Sequence, residues 1–416
     1  MMEFIARFRS LPRPSRVLMI NELVINVGFY MLMPYLAGYL AGPLALAAWA
    51  IGLVMGVRNF SEQGMFIIGG TLADRVGYKA MIVTGCLLRT GGFALLAITQ
   101  SFPAVLIASA TIGLTAAFFN PAIRAYLAVD AGDRRVEAFA MFNIFYQAGI
   151  LVGPLVGVTL VGIDFRISAL SAAALSAMLT AAQLLTLPAR GADPEAAQTS
   201  ILREWRTVIS NPPFLLFAAV MTGSYLLSSQ IFLTMPLQAA ILTPASETVL
   251  VTALFGVSGL VAVACQLRIT GWLAARWNRG RSLAIGMTIL AASFLPLTIA
   301  PDAARFGIFP ALVALLVCAA LLAIGAAAVF PFEMDTVVSL AGGRLVATHY
   351  GFYNTIVGTG VLVGNLATGA LIGAARKAGL GGLIWAGLVL VGIVAVVALR
   401  GLDRRGYLKA TAGATR

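Results

Sequence analysis

The chain has 416 residues, of which 60% are hydrophobic and only 11% are charged, and its mean hydropathy is +0.95. A water-soluble domain does not bury so much apolar surface, so the composition excludes a soluble globular protein and favours a membrane protein. The formal net charge of +12 falls mostly in the segments between apolar runs, which indicates a membrane topology signal rather than a nucleic-acid-binding surface.

Apolar runs long enough to cross a membrane recur along the whole chain and predict an all-α integral membrane protein with twelve transmembrane helices. The first run follows several arginines, as in a signal peptide, but it is longer than the roughly 7–15 residues of such a peptide, so we interpret it as a span. The predicted spans are residues 16–40, 46–70, 80–99, 103–128, 138–162, 167–187, 213–236, 248–271, 282–300, 306–330, 345–372 and 381–400.

The basic residues predict the orientation of these spans. An even number of spans places both termini on one side, and most of the 28 lysines and arginines fall in segments of that side. By the positive-inside rule both termini are therefore expected to be cytoplasmic, in the inner membrane of a bacterium. Cys86, Cys265 and Cys318 all lie within apolar runs, so neither a disulfide nor a metal site is expected.

One substantial polar segment near the middle of the chain suggests a duplication. It predicts an N-terminal six-helix bundle (1–187), a cytoplasmic linker (188–212), a C-terminal six-helix bundle (213–400) and a cytoplasmic tail (401–416). The stretch GTLADRVGYK at Gly70–Lys79 is partly repeated as GWLAARWNRGR at Gly271–Arg281, which begins 201 residues later. The acid is lost in the second copy, where Ala275 stands in place of Asp74.

The segment Gly70–Lys79, called the signature loop below, resembles the loop motif G-x-L-A-D-R-x-G-x-K of the major facilitator superfamily. This resemblance implies two pseudo-symmetric six-helix bundles, a substrate site between them, and a loop that gates the cytoplasmic side. The gating residues that it implies are Gly70, Asp74, Arg75, Gly77, Lys79 and Asp130. Most of the family has a basic residue at Tyr78, so we expect Asp130 to use Arg75 or Lys79 instead.

A second motif lies in the predicted fifth span. Gly149, Gly153 and Gly157 recur every four residues and line one helix face, where a neighbouring helix can approach closely. Pro154 removes a backbone donor and permits a bend. The run resembles a motif of proton-driven exporters of the same superfamily and therefore implies antiport, with plain helix packing as the alternative. The patterns at residues 28–34 and 58–64 resemble those of its twelve-span multidrug exporters.

Ionisable residues inside the spans are the candidates for proton coupling, because a charge in the bilayer is costly unless it has a function or a partner. Glu22 in the first span is the foremost candidate, and the alternative is that it merely faces the cytoplasmic mouth of the protein. Arg58 and Glu62 are four residues apart and share a helix face, where the alternative is a permanent ion pair. Arg124 either belongs to the proton or substrate site or reaches the membrane surface.

Polar and aromatic residues within several spans are candidates for lining an apolar cavity that binds a lipophilic substrate, although packing or contact with lipid is the simpler explanation for each aromatic. The candidates are Asn26, Tyr30, Tyr146, Tyr225, Gln230, Phe232 and Tyr353. Glu333 and Asp335, at the end of the tenth span, are expected to be solvated.

These patterns predict a monomeric, proton-coupled secondary transporter that exports lipophilic or amphipathic small molecules, as in multidrug efflux and antibiotic resistance. A transporter of a lipid or a specific metabolite, including a symporter, is the alternative. The sequence shows no nucleotide-binding loop, metal cluster or catalytic triad, so no enzymatic activity, cofactor or nucleic-acid partner is expected. The duplicated loop argues against a membrane enzyme or a receptor without transport.

Overall fold

The computed structural model describes residues 2–41, 43–46, 48–161, 163–190, 200–243, 247–301, 303, 307–377 and 382–408. Within these ranges the chain is helical almost throughout and contains no strand. The helices are α1 (Met2–Ser10), α2 (Arg13–Tyr30), α3 (Met33–Ala41), α4 (Ala48–Gly64), α5 (Phe66–Val76), α6 (Tyr78–Ile98), α7 (Phe102–Ala131), α8 (Arg135–Val161), α9 (Phe165–Thr186), α10 (Ile201–Ile209), α11 (Pro212–Ser229), α12 (Thr234–Leu242), α13 (Glu247–Arg276), α14 (Arg279–Ala292), α15 (Leu295–Ile299), α16 (Ile308–Ala341), α17 (Val346–Lys377) and α18 (Gly382–Arg404).

Nine segments of the described chain are long and apolar enough to cross a membrane. They are Arg13–Leu36, Tyr78–Ile98, Phe102–Val161, Phe165–Thr186, Pro212–Ala239, Val249–Arg276, Arg279–Ile299, Ile308–Ala341 and Gly382–Arg404. One of them, Phe102–Val161, joins two of the predicted spans. The protein is therefore a multi-pass helical membrane protein, and the count of twelve spans stays a prediction.

Several predicted spans consist of two consecutive helices. The predicted span 16–40 is interrupted after Tyr30 by a turn at Met31 and Leu32, and Pro34 occupies the first turn of the helix that follows. Proline has no N–H to donate and is tolerated in a first turn, so it favours restarting the helix there. The predicted span 46–70 is interrupted at Met65 in the same way, although without a proline.

The chain divides into two compact units. The first comprises Met1–Ser210 together with Ala341–Thr355, and the second comprises Asn211–Leu340 together with Ile356–Arg416. The first ten residues of α17 therefore pack within the first unit, and the remainder of that helix belongs to the second.

In the first unit, α6 packs against α7 and α9, and α2 packs against α8. Its core includes a stacked pair of rings, Tyr39 and Phe165, whose centroids are 3.9 Å apart. In the second unit, α18 packs against α11, α14 and α15. Phe294 stacks on Trp385 within that packing, with the ring centroids 6.2 Å apart. These packed helices hold the candidate residues in place.

Candidate functional site

The signature loop is mostly helical. Helix α5 continues through Asp74 and Arg75 to Val76, and α6 begins at Tyr78, so the predicted turn is reduced to the single residue Gly77. Gly77 has a φ of 101°, a backbone conformation that residues with a Cβ rarely adopt. A Cβ on Gly70 would lie 3.1 Å from Thr348 Cα, so glycine allows α5 to contact the beginning of α17 directly.

Asp74 accepts hydrogen bonds from the beginning of α17. Its carboxylate accepts the backbone N–H groups of Ala347 at 3.2 Å and Thr348 at 2.7 Å, and also the Thr348 hydroxyl at 2.7 Å. The first N–H groups of a helix have no partner within the helix, so an acceptor there satisfies them and complements the helix dipole. Tyr78 also donates its hydroxyl to Asp74 at 3.1 Å.

Asp74 is almost completely buried, with 1% of its surface exposed. Burial disfavours the charged form and outweighs the hydrogen bonds from Thr348, Ala347 and Tyr78, so the pKa of Asp74 rises from 3.8 to about 6. The Asp74 carboxyl, which lies outside the predicted spans, is therefore protonated more readily than an aspartate in water.

Among the described residues Asp130 pairs with Arg190 and not with Arg75 or Lys79, contrary to the prediction. Its carboxylate forms an ion pair with Arg190, at 3.1 Å, and accepts the backbone N–H and the hydroxyl of Ser15 at 3.0 and 2.6 Å. Arg190 comes from the predicted linker and not from the signature loop.

Arg75 and Lys79 instead bind elsewhere in the first unit. Arg75 donates from Nε and Nη2 to Glu204 Oε1, at 3.0 and 2.7 Å. Lys79 donates from Nζ to the carbonyl of Leu184 at 2.9 Å. The signature loop is therefore fixed by α9 and by α10, in addition to its contacts with α17.

The second unit contains the ion pair that the first unit lacks at the corresponding loop position. Arg279 stands 201 residues after Tyr78 and pairs with Asp335 at 2.5 Å. Asp335 and Glu333 are 4% and 2% exposed, so the expectation that they are solvated is wrong. The reason is that α16 does not end at residue 330 but continues to Ala341, which places both acids inside the packed helix.

Glu22 lies in the middle of α2 and is 3% exposed. The Asn26 amide, one turn later, donates to Glu22 Oε1 at 3.1 Å and to the Glu22 carbonyl at 2.7 Å. Oε2 is buried and has no hydrogen-bond partner among the described residues. Arg89 and Arg124 are the cations whose charges act on this carboxyl. A buried acid with one unoccupied oxygen is able to accept a proton.

Arg58 and Glu62 form an ion pair at 3.1 Å on one face of α4, as their spacing indicated. The Arg58 guanidinium also lies 4.9 Å from the centre of the Phe29 ring on α2. Arg124 is partly buried and donates to the Asn354 side chain at 3.0 Å. Of the two predicted positions for Arg124, this contact favours a buried site.

The glycines of the second motif pack on the helix that carries Glu22. A Cβ on Gly149 would lie 2.5 Å from Asn26 Cβ, and a Cβ on Gly153 would lie 2.6 Å from Tyr30 Cβ. The hydroxyl of Tyr35 donates to the carbonyl of Pro154 at 2.9 Å. Helices α2 and α8 therefore touch backbone to backbone along the face that bears Asn26 and Tyr30.

The candidate substrate residues divide between the two units. Asn26, Tyr30, Tyr146 and Tyr353 lie in the first unit, where Tyr30 and Tyr146 are hydrogen bonded to each other. Tyr225, Gln230 and Phe232 lie in the second. Gln230 is fully buried and donates to Asn365 at 3.0 Å, whereas the Phe232 side chain is 60% exposed. Their role in substrate binding stays a prediction.

Three residues of this site were not predicted from the sequence: Thr348, Glu204 and Trp205. Trp205 donates from its indole nitrogen to the Thr71 hydroxyl at 2.9 Å and meets the Phe352 ring edge-on at 6.0 Å. A tryptophan and an acid on a short amphipathic helix in a polar linker were the available signal, because such a helix needs a surface to pack against.

Comparison with known proteins places these features in a family. The family model described as the Major Facilitator Superfamily matches residues 18–313. An uncharacterized MFS-type transporter of Mycobacterium tuberculosis (strain ATCC 25618 / H37Rv) is 63% identical over 398 residues, which cover 96% of this chain and 95% of that protein. The multidrug resistance proteins MdtH of Klebsiella pneumoniae (strain 342) and Salmonella newport (strain SL254) are 27% and 26% identical, each over 92% of both chains.

Proposed function

Because the chain belongs to the Major Facilitator Superfamily, a family of transporters and not of enzymes, we propose that it exports lipophilic or amphipathic small molecules in exchange for protons. The observation that carries the proposal is the Glu22 carboxyl, which is buried within a membrane-spanning helix and has one oxygen without a hydrogen-bond partner among the described residues. An ionisable group in that setting is costly unless it serves a function.

Glu22 is the proposed proton carrier. Its protonation would change the charge next to Asn26, which lies against Gly149 of the glycine motif. A ligand shifts an equilibrium between two conformations only if its affinity for them differs. A proton that Glu22 binds more tightly in one conformation of the transporter would therefore favour that conformation. Glu62, already paired with Arg58, is the second candidate.

The signature loop is the proposed gate. Asp74 binds the beginning of α17, a helix that continues from Ile356 into the second unit. In transport by alternating access, release of this contact would accompany opening of the cytoplasmic side, and its formation would stabilise the closed cytoplasmic side. The proposed orientation has both termini in the cytoplasm and the protein in the bacterial inner membrane, with a proton gradient as the energy source and a monomer as the working unit.

The substrate class rests on the MdtH proteins, whose name describes them as multidrug resistance proteins, and on the family motifs in α2 and α8. The two MdtH proteins are only 27% and 26% identical to this chain, whereas the relative at 63% identity is uncharacterized. A lipid or a specific metabolite is therefore the second candidate substrate, and transport by symport is included in it.

The experiment is a measurement of proton flux in proteoliposomes with an acidic lumen and a luminal pH dye. Tetraphenylphosphonium and ethidium are suitable probes, since a permanently charged cation does not carry protons across the membrane by itself. We expect addition of a transported cation to raise the luminal pH in the wild type. Glu22→Gln is expected to abolish the drug-dependent proton flux while leaving the protein folded.

Two further variants make the result specific. Glu62→Gln compares the other membrane carboxylate, and Glu137→Gln is a control because its pairing with Arg134 lies on the surface, where the two side chains are 27% and 42% exposed. Full, pH-dependent exchange by Glu22→Gln would refute its assignment as the proton carrier. Absence of drug-dependent flux in the wild type would favour the lipid or metabolite alternative.

A further inference from the structure

The linker between the two halves contains a short helix, α10, with one buried face. Ser200 precedes the helix and accepts a hydrogen bond from the Arg203 N–H at 3.3 Å, which caps its first turn. Glu204 and Val208, four residues apart, are buried, whereas Arg203, Arg206 and Thr207 on the other face are exposed. A buried acid on a linker helix is unusual because burying a carboxylate is costly without a partner.

The buried face of α10 contacts the signature loop directly. Arg75 directs two nitrogens at Glu204 Oε1, and the Glu204 carboxylate is 3% exposed. One residue later, the Trp205 indole donates to Thr71, and its ring packs edge-on against Phe352 of α17. Thr71 lies three residues before Asp74, and Phe352 lies four residues after Thr348. Trp205 therefore touches both chain segments that the Asp74–Thr348 contact joins.

The beginning of the linker holds the same loop from its other end. Arg190 pairs with Asp130, and its carbonyl accepts the backbone N–H of Tyr78 at 2.9 Å. In the second unit an acid near the end of α16, Asp335, is paired by Arg279 from within the repeated loop itself. The linker of this chain thus supplies the cation that the loop lacks at Tyr78.

We propose that the linker is a third component of the gate, in which Glu204 and Trp205 are positioning residues that hold α5 and the beginning of α17 together around Asp74. The Asp74 contact cannot open widely while Trp205 bridges Thr71 and Phe352, so α10 must release at least one of them when the gate opens. This inference rests on the proposed role of the signature loop as a gate. It assigns to the linker a part in controlling that gate, beyond connecting the two halves.

The amides of Ala347 and Thr348 report the state of the contact without any added label. As the first N–H groups of α17 they have Asp74 as their acceptor, so their hydrogen exchange measures how often that contact opens. The protein is reconstituted in nanodiscs without substrate or proton gradient, and exchange is followed by mass spectrometry. The result is therefore independent of whether the protein proves to be a drug exporter.

We expect Glu204→Gln to increase the exchange rates of these two amides about tenfold, and Trp205→Phe, which keeps a ring but loses the N–H donor, to increase them several-fold. The charge-swapped double variant Arg75→Glu with Glu204→Arg is expected to restore most of the protection, because it keeps the ion pair with its charges reversed. Arg206→Gln, on the exposed face of α10, is the matched control and is expected to match the wild type.

Exchange in α6 serves as the internal reference for folding. If Glu204→Gln raises hydrogen exchange throughout the protein, the proposal is tested by Trp205→Phe and by the charge-swapped double variant instead. The proposal would be overturned if Trp205→Phe kept the wild-type protection at residues 347 and 348. It would also be overturned if the charge-swapped double variant did not recover that protection. Failure of drug transport with the expected exchange pattern would refute the proposed substrate and leave the role of the linker intact.

Discussion

Thr348 donates both its backbone N–H and its hydroxyl to Asp74 Oδ2, each at 2.7 Å. Both donors and the acceptor are buried, so the hydroxyl has no water to replace the carboxylate as its partner. A side chain and a backbone group of one residue therefore bind the same oxygen of the signature loop, which makes Thr348 the most direct test of this contact.

Replacing Thr348 by valine keeps the shape of the side chain and removes only the hydroxyl. A hydrogen bond to a charged group contributes about 1.5–3 kcal/mol, so we expect the contact to weaken by about tenfold or more. The measurement is the hydrogen-exchange protection of residues 347 and 348. Thr368→Val is the control, since the hydroxyl of Thr368 donates to the Gly364 carbonyl of the same helix α17. Equal protection in Thr348→Val and the wild type would contradict the prediction.

The contact is also expected to depend on pH. The pKa of Asp74 is about 6 when the residue is buried, against an ordinary value of 3.8 when the carboxyl is released to water. A group with a raised pKa stabilises the buried state fully below the ordinary pKa and loses this contribution as the pH rises through the raised value. Lowering the pH from 7.5 to 5 is therefore expected to favour the closed contact by about tenfold.

The measurement for this prediction is the protection factor of residues 347 and 348, corrected at each pH for the intrinsic exchange rate. Asp74→Asn removes the titrating group and is expected to make the protection factor independent of pH over this range. If the wild-type contact opened more often at low pH, the predicted direction of the pH dependence would be wrong.

The glycine motif predicts a position-specific cost of added side chains. Gly153→Ala places a methyl group about 2.6 Å from Tyr30 Cβ. Overpacking of this kind costs about 1–3 kcal/mol, so the midpoint of thermal unfolding in detergent is expected to fall. Gly91→Ala on α6 is the matched control, since an added Cβ there meets no atom within 4 Å and alanine favours a helix. A Gly153→Ala protein as stable as Gly91→Ala would show that the helices separate easily.

The ion pair of Asp335 and Arg279 is expected to stabilise the second unit. Removing one partner of a buried pair costs about 3–5 kcal/mol, and we expect Asp335→Asn to cost less than this because the Arg279 side chain keeps 18% of its surface exposed. Glu137→Gln, which breaks an exposed pair, is expected to change the stability by about 1 kcal/mol or less. Thermal unfolding of both variants checks the difference, and equal midpoints would refute it.

Patterns that are local in sequence predicted the features that depend on local physics. Hydropathy predicted the apolar helices, because the bilayer core requires long runs whose backbone groups bond within the helix. The four-residue spacing of Gly149, Gly153 and Gly157 predicted close helix packing, and the spacing of Arg58 and Glu62 predicted that they share a helix face, with an ion pair as one alternative. None of these predictions depended on a contact with a residue that is distant in the sequence.

Partners from distant parts of the chain were not predictable in the same way. Asp130 pairs with Arg190, sixty residues later, because the linker returns to the loop, and no periodicity signals that return. The burial of Glu333 and Asp335 was missed because the hydropathy of α16 falls before the helix ends at Ala341. Both acids are buried in tertiary contacts, such as the Asp335–Arg279 pair, and such contacts override the local fall in hydropathy.

The position of α10 has a consequence for cutting the chain. A break made among residues 191–199 would leave Arg190 on one fragment and Glu204 on the other, while the contacts of both with the signature loop and its acid would remain available. Of two separately translated fragments, 1–195 and 196–416, the first would carry Arg75 and the second its partner Glu204, so this ion pair would join them. Co-expression of the two fragments is therefore expected to yield a complex that Glu204→Gln weakens.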